Sequence, residues 1–148
     1  MPGVTLRPAA PGDAPALNRL MQASSAYHGE YAPMLQGYAI TPEQIARDLF
    51  VVAEDSGGIL GFYSLVIEGD PELDLMFVAD AAQGRGLGER LFRHMASQAR
   101  ALGIDAVKVV SNPPAEGFYR RMGCERIGTR RPKGRVTWTQ PILYLRLA

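Results

Sequence analysis

One stretch of this chain, residues 72–91, constrains its fold and chemistry more than any other. It reads ELDLMFVADAAQGRGLGERL, so glycines at positions 84, 86 and 88 join an apolar strand to a strongly periodic helix. Glycines at such a turn let the backbone approach a ligand that a Cβ would exclude. The first N–H groups of the following helix lack partners within it and carry the positive end of its dipole. The pattern predicts a phosphate-binding turn, with a merely tight turn as the simpler alternative.

Two common phosphate-binding motifs do not match this turn. A dinucleotide-binding fingerprint requires a third glycine where Glu89 stands, and it follows the first strand of its domain rather than one in mid-chain. A P-loop requires Gly-Lys-Ser/Thr, which the turn lacks. The pattern that remains is Gln83-x-x-Gly86-x-Gly88.

The hydrophobic periodicity of the whole chain predicts a mixed α/β domain in the order β-α-α-β-β-β-α-β-α-β-β. No repeat or linker-like stretch divides residues 1–148, which favours a single domain. The predicted strands are residues 4–8, 50–54, 59–67, 72–78, 106–111, 125–129 and 142–147. Two helices are predicted to begin after the candidate N-cap residues Asp13 and Thr41. Two more are predicted over residues 87–102 and 115–122. Segment 24–40 is predicted to be irregular, and 130–135 a polar loop.

Charge, cysteine content and hydropathy disfavour several classes of protein, among them nucleic-acid-binding, membrane, secreted and zinc proteins. Sixteen basic residues against 15 acidic ones give a net charge of +1, which disfavours binding to nucleic acid or to anionic lipid. The first residues lack the pattern of a secretory signal, and no apolar run approaches the roughly 20 residues of a membrane span. The lone Cys124 has no partner for an internal disulfide, and no Cys/His cluster has zinc spacing. We therefore expect a cytoplasmic protein that uses no metal and binds neither nucleic acid nor membrane.

A second block, NPPAEGFYRRMG at residues 112–123, follows the glycine turn after more than twenty residues. With both blocks the chain resembles the GCN5-related N-acetyltransferase (GNAT) superfamily, whose signature is Gln/Arg-x-x-Gly-x-Gly/Ala. Gln83, Gly86 and Gly88 fill its three fixed places, and the second block resembles the family's strand ending in Asn followed by a short helix with Phe-Tyr. The resemblance covers residues 50–123. It departs at Cys124, where an aromatic residue is usual and where a small buried side chain is favoured over a nucleophile.

The resemblance implies a GNAT-like fold for the single domain 1–148, with a mixed, mostly antiparallel sheet of about seven strands and about four helices. It also implies an N-acetyltransferase that moves the acetyl group of acetyl-CoA directly to a primary amine in a ternary complex. The backbone of Met76 would meet the thioester carbonyl, that of Val78 would pair with pantetheine, and Asn112 would bond the pantetheine arm or cap the next helix. The main-chain contacts implied for the pyrophosphate are at Gly84, Arg85, Gly86, Gly88 and Glu89.

Acyl transfer to an amine requires a neutral amine, donors for the oxyanion and a proton for the leaving thiolate. In some relatives a carboxylate eleven residues before the motif glutamine is the general base, which is Glu72 here. Asp74 is the reserve candidate, because alternate residues of a strand share one face. Tyr119 occupies the family's acid position, and a phenol is protonated at neutral pH. A solvated acid at Glu72 and a core tyrosine at position 119 are the alternatives.

The acceptor remains open at this level, since both small-molecule amines and protein amines fit the chemistry. By resemblance, Tyr27, His28 and Tyr31 in segment 24–40 are expected to bind it, with loop packing as the alternative. The basic loop 130–135 is expected to be solvated, or to meet a carboxylate of the acceptor or the coenzyme's 3′-phosphate. Relatives commonly form dimers, so a homodimer is expected. A non-catalytic acetyl-CoA sensor or an interaction module is the competing hypothesis.

Overall fold

Seven strands and four α-helices make up residues 3–148, the part of the chain that this computed structural model describes. The strands are β1 (Thr5–Pro8), β2 (Leu49–Asp55), β3 (Gly58–Val66), β4 (Glu72–Val78), β5 (Ala106–Val110), β6 (Glu125–Arg130) and β7 (Gln140–Arg146). The helices are α1 (Ala14–Gln22), α2 (Pro42–Arg47), α3 (Leu87–Ala101) and α4 (Glu116–Arg121). The predicted order of elements and the predicted fold class are confirmed.

The strands form one sheet in the order β1-β2-β3-β4-β5-β7-β6. All neighbours are antiparallel except β4 and β5, which run parallel and share a single register pair, Glu72 with Lys108. β5 is fully paired with β7 on its other side, from Ala106 to Val110. The sheet therefore opens between β4 and β5 beyond that one pair, toward the carboxyl ends of both strands.

A bulge interrupts β4 near its start. Ser64 pairs with Leu75 and Leu65 pairs with Leu73, which leaves Asp74 without a register partner. An extra residue breaks the simple alternation of faces. Leu73 accordingly packs in the same core as Met76, while Leu75 packs on the opposite side of the sheet. The prediction that Glu72 and Asp74 share a face with Met76 assumed a regular alternation of side chains along β4. The bulge interrupts this alternation before Met76.

Each face of the sheet carries its own core. On one face α3 buries its apolar stripe, including Leu87, Leu91 and Met95, against β2, β3, β5 and β7. On the other face α1 and α2 pack against the stacked rings of Phe50 and Phe62. Each large apolar side chain removed from water in this way stabilises the fold by about 1.5–3 kcal/mol. None of the helices in residues 3–148 combines the length and apolar character needed to cross a membrane.

The predicted helix caps have different outcomes. Thr41 caps α2 as expected, since its hydroxyl accepts the Gln44 N–H at 3.1 Å. Asp13 does not cap α1 with its side chain. Its carboxylate instead accepts from Arg7 at 2.9 Å and from the Ala10 N–H at 2.7 Å, and the Arg7 guanidinium lowers the pKa of that carboxyl.

Segment 24–40 is more ordered than its sequence suggests. It contains two short 3₁₀ turns, Ser25–Tyr27 and Gly29–Leu35, and its end is held by Asn18, whose amide exchanges hydrogen bonds with the backbone of Ile40 at 2.8 and 2.9 Å. These bonds fix the segment beside the open side of the sheet.

The close approach of β3 to β4 provides a test of the fold. A Cβ on Gly61 would lie 2.8 Å from the Phe77 carbonyl oxygen and 3.2 Å from Leu91 Cδ1, so neither strand nor helix has room for it. We expect Gly61→Ala to lower the free energy of unfolding by about 1–3 kcal/mol, as overpacking does. The melting temperature should fall by roughly 2–4 °C per kcal/mol.

The matched control is Gly128→Ala in β6, where no heavy atom lies within 4 Å of the added Cβ. Thermal and denaturant unfolding of both variants should show a clear loss for Gly61→Ala and little change for Gly128→Ala. Equal stability of the two variants would contradict the packing described.

Candidate active site

The glycine turn presents a row of backbone donors. Gly84 and Gly86 adopt positive φ of 78° and 73°, a conformation that L side chains disfavour. The first bond into α3 runs from the Arg90 N–H to the Gly86 carbonyl at 3.1 Å, so the amides just before Arg90 have no partner within the helix. The Gln83 side chain donates to the Val78 carbonyl at 3.0 Å and fixes the turn to the end of β4. The turn thus has the free amides and the dipole end that a diphosphate requires.

The charged side chains at the turn are exposed. Arg85 is exposed, and exposed Glu89 pairs with Arg93 one helical turn later at 3.4 Å. The turn therefore carries both main-chain donors and the charged side chain of Arg85, and the main-chain contacts predicted for residues 84–89 stay a prediction.

A cavity of about 440 Å³ occupies the opening between β4 and β5. It continues into a hollow of about 180 Å³ that reaches Gly88 at the start of α3. The residues that line both spaces are Met76, Val78, Gln83, Ala115 and Tyr119. The two spaces therefore lie side by side and together form a passage between the glycine turn and the cavity.

The cavity wall is mostly apolar and aromatic. The lining residues of this kind include Tyr27, Met34, Leu35, Tyr38, Leu75, Phe77 and Val136. Among the described lining residues, Asp74 is the only one with a charged side chain. Residues 3–148 contain no group of three or more His, Cys, Asp or Glu that could hold a metal ion.

The two predicted carboxylates occupy different surroundings. Asp74 lines the cavity, and desolvation raises its pKa, with repulsion from Glu72 and Asp48 adding to the rise and Arg47 opposing it. Asp74 is nevertheless an exposed residue, so the desolvation acts on a carboxylate that still meets solvent. Glu72 is not among the lining residues and lies 3.6 Å from the Lys108 ammonium. The structure thus brings Asp74, and not Glu72, to the cavity.

Tyr119 extends from α4 into the passage, beside the rings of Phe118 and Phe92. Burial raises the pKa of Tyr119, so its hydroxyl stays protonated throughout the neutral range. Cys124, which follows α4, is buried in the core, and burial raises its thiol pKa to about 11. A protonated buried thiol is a poor nucleophile, which agrees with the expectation of a small core residue.

Asn112 lines the cavity and joins three parts of the chain. Its Oδ1 accepts hydrogen bonds from the Trp138 indole N–H and the Gln140 amide, both at 3.0 Å. Its amide nitrogen lies 3.4 Å from the Met34 sulfur. It makes no side-chain cap to the turn that follows it. The structure therefore gives Asn112 a bracing position that the sequence did not indicate.

Of the three residues predicted to bind the acceptor, only one lines the cavity. Tyr27 lines the cavity, with its ring 5.2 Å from that of Phe77, and burial raises its pKa. His28 is exposed, with its ring nitrogen 3.4 Å from the Gln22 carbonyl, and Tyr31 packs edge-on against Trp138 at 5.0 Å. Neither His28 nor Tyr31 is among the lining residues.

Sequence reasoning missed several lining residues. Met34 and Val136 gave no local signal, because the 3₁₀ turn that carries Met34 and the loop that carries Val136 are positioned by partners far along the chain. Tyr38 was visible as one of several tyrosines in segment 24–40, but its place became clear only from its hydroxyl, which accepts the Gln44 amide at 2.8 Å.

Comparison with known proteins shows which family this chain resembles in sequence. Residues 46–125 match the family model described as the acetyltransferase (GNAT) domain. The chain is 29% identical to an IAA acetyltransferase of Azospirillum brasilense, over 90% of this chain and 92% of that protein. It is 34% identical to a mycothiol acetyltransferase of Pseudarthrobacter chlorophenolicus, over 84% of this chain but only 43% of that protein.

Solved structures share the fold at low sequence identity. The ribosomal-protein-S18-alanine N-acetyltransferase of Escherichia coli superposes with a TM-score of 0.76 at 20% identity, over 98% of this chain and 94% of that one. The PaiA N-acetyltransferase of Thermoplasma acidophilum, in complex with coenzyme A, superposes with a TM-score of 0.74 at 16% identity, over 97% and 98%. With the match to the family model, these findings establish that the chain belongs to the GNAT family and is an acetyltransferase.

Proposed function

We propose that this acetyltransferase moves the acetyl group of acetyl-CoA to a primary amine by direct attack in a ternary complex. The observation that carries the proposal is the pair of adjacent spaces that lie between the glycine turn and Asp74, with Tyr119 in the wall of both. The similarity in fold to PaiA, which was solved with coenzyme A, supports the choice of coenzyme. We propose further that residues 1–148 act as a single domain, because both cores pack on one sheet.

The amides of residues 84–89 would hold the coenzyme's pyrophosphate, and the edge of β4 would hold its pantetheine arm. β5 leaves β4 after the Glu72–Lys108 pair, so the edge of β4 around Met76 and Val78 has no register partner on that side. An extended ligand with amide groups can pair with such an edge as a further strand would. Its thioester would then lie beside the cavity.

The reaction itself moves one proton from nitrogen to sulfur. The amine nitrogen forms a bond to the acetyl carbon, and the bond from that carbon to sulfur breaks. Asp74, directly or through a water, takes the proton that the amine loses, and Tyr119 gives the proton that the sulfur gains. The raised pKa of Asp74 makes it a stronger base than a solvated carboxylate, and the raised pKa of Tyr119 keeps its proton in place until charge develops on sulfur.

The glycine turn can be tested against an equivalent glycine at the other end of the same helix. Gly86 (φ 73°) and Gly103 (φ 77°) both have positive φ, and neither has a neighbour within 4 Å of an added Cβ. Alanine should therefore strain both positions by a similar amount, about 1–2 kcal/mol. We expect only Gly86→Ala to misalign the amides and weaken acetyl-CoA binding, by roughly 10- to 100-fold for one lost charged hydrogen bond.

Isothermal titration calorimetry with acetyl-CoA measures this difference directly. Gly103→Ala should lose stability but keep the affinity of the unmodified protein. Equal affinities for the two variants would remove the turn from the coenzyme site.

Tyr119 can be tested by deleting its hydroxyl. We expect Tyr119→Phe to lower kcat by about 10²–10⁴-fold, because the departing sulfur loses its proton donor. The affinity for acetyl-CoA should change little, since the ring still fills its place beside Phe118. A thiol-release assay gives kcat, and Tyr144→Phe on β7, outside the cavity, removes the same atom as a control. Turnover by Tyr119→Phe at the rate of the Tyr144→Phe control would exclude this role.

The two carboxylates can be separated by their pH dependence. An acid whose pKa is raised in the folded state is protonated at low pH, so activity that needs its base form rises as pH rises through that pKa, above the ordinary value of 3.8. We expect Asp74→Asn to remove this contribution from the acid limb of kcat/KM and to lower kcat/KM by about 10²–10⁴-fold.

Glu72→Gln, which removes the ion pair with Lys108, is the matched control and should keep the limb. The opposite pattern, with the limb lost in Glu72→Gln and kept in Asp74→Asn, would make Glu72 the base.

A further inference from the structure

We propose that the acceptor is a small organic amine with an apolar, ring-bearing body and no carboxylate, rather than an amino acid or the end of a protein. This inference rests on the proposed function, since it concerns the acceptor of the same reaction. Three features of the cavity support it: a bridge across one side, a lining whose described residues include no Lys or Arg, and the apolar and aromatic side chains of that lining.

The bridge consists of contacts between segment 24–40 and the loop that joins β6 to β7. The ring of Tyr31 meets Trp138 edge-on at 5.0 Å. Asn112 receives the Trp138 N–H at 3.0 Å and lies against the Met34 sulfur at 3.4 Å. A Cβ built on Gly37 would lie 3.2 Å from both terminal nitrogens of Arg135, so the same loop touches the segment a second time.

The bridge limits the size of the acceptor. Met34 and Val136 belong to the two bridged elements, Asn112 contacts both elements, and all three residues line the cavity. Because the two elements touch at these places, an extended chain could not pass between them there. A polypeptide that crossed the cavity in this direction would have to break the Tyr31–Trp138 contact and the Trp138 hydrogen bond. A small molecule has no such requirement.

The charges of the wall exclude a carboxylate. Among the described lining residues there is no Lys or Arg, and the single charged group, Asp74, is an anion. A carboxylate brought into this space would lose water without gaining a cation, which is costly for a charged group. The nearest basic side chain of the loop, Arg135, is exposed and lies over Gly37 outside the lining. An ammonium group, in contrast, would find the Asp74 carboxylate.

The apolar and aromatic side chains of the cavity lining suit an acceptor with an apolar ring. Tyr27 packs against Phe77 with ring centroids 5.2 Å apart, and Tyr38, Leu75 and Met34 complete that part of the cavity. Ligand sites of this kind are mostly apolar with a few polar groups that fix orientation. Here those groups are Asp74 for the amine and Tyr119 for the sulfur of the thioester. The cavity therefore selects for a ring attached to a primary amine.

The proposal is tested by comparing acceptors that share one body. The probes are 2-phenylethylamine, L-phenylalanine, L-phenylalaninamide and a short peptide with N-terminal phenylalanine. We expect kcat/KM for 2-phenylethylamine to exceed that for phenylalanine by at least about 100-fold, as for a buried charge left unpaired. Phenylalaninamide, which lacks the charge, should recover part of this loss, and the peptide should react least. A kcat/KM for phenylalanine or the peptide equal to or above that for 2-phenylethylamine overturns the proposal.

A variant of the bridge provides an independent readout. Trp138→Ala removes both the contact with Tyr31 and the hydrogen bond to Asn112, whereas Trp138→Phe keeps a ring there and loses only the N–H. We expect Trp138→Ala to raise kcat/KM for the peptide relative to 2-phenylethylamine by about tenfold or more, and Trp138→Phe to do so less. An unchanged ratio in a folded Trp138→Ala variant contradicts the size limit.

Failure of the proposed function gives a different result. If acetyl-CoA binds but none of the probes is acetylated, the proposed reaction fails, and calorimetry on the coenzyme A complex then decides the acceptor class. Binding of 2-phenylethylamine at least about 100-fold tighter than phenylalanine supports the proposal. Equal or tighter binding of phenylalanine overturns it.

Discussion

The parallel pairing of β4 and β5 ends after one register pair, and the rest of the site depends on this separation. Glu72 and Lys108 hold the strands together at one point, and β7 then keeps β5 away from β4 through continuous antiparallel pairing. The gap leaves the edge of β4 without a partner and forms the cavity. It also places the glycine turn, which follows β4 directly, at the far end of the same passage.

Two local features determine which groups face that gap. The bulge at Asp74 adds a residue to β4 and carries its carboxylate to the cavity, while Glu72 remains beside Lys108. Asn112, at the end of β5, braces the wall by joining Met34 to Trp138 and Gln140. A wall bridged on one side, with one carboxylate among its described lining residues, follows from these few contacts. In the proposed function this wall would select the acceptor, whereas backbone groups of the glycine turn would hold the coenzyme.

The sequence was most informative where structure is local. The glycine turn and α3 were predicted correctly because a strand, positive-φ glycines and a 3.6-residue period lie within one continuous stretch. The choice between Glu72 and Asp74 could not be made, since the bulge depends on how β3 pairs with β4. The role of Asn112 was hidden for a similar reason, because its partners Trp138 and Gln140 lie 26 and 28 residues away. Tyr27, His28 and Tyr31 were predicted by resemblance, from a segment that has no clear period, and only Tyr27 of the three lines the cavity.

In the proposed function the coenzyme binds along the gap between β4 and β5. A crystal structure of the protein with acetyl-CoA tests it most directly. The account predicts diphosphate oxygens within hydrogen-bond distance of the amides of residues 84–89, and a pantetheine arm lying along the free edge of β4 with its sulfur near Tyr119. A diphosphate bound elsewhere, or a pantetheine arm outside the gap, would contradict it.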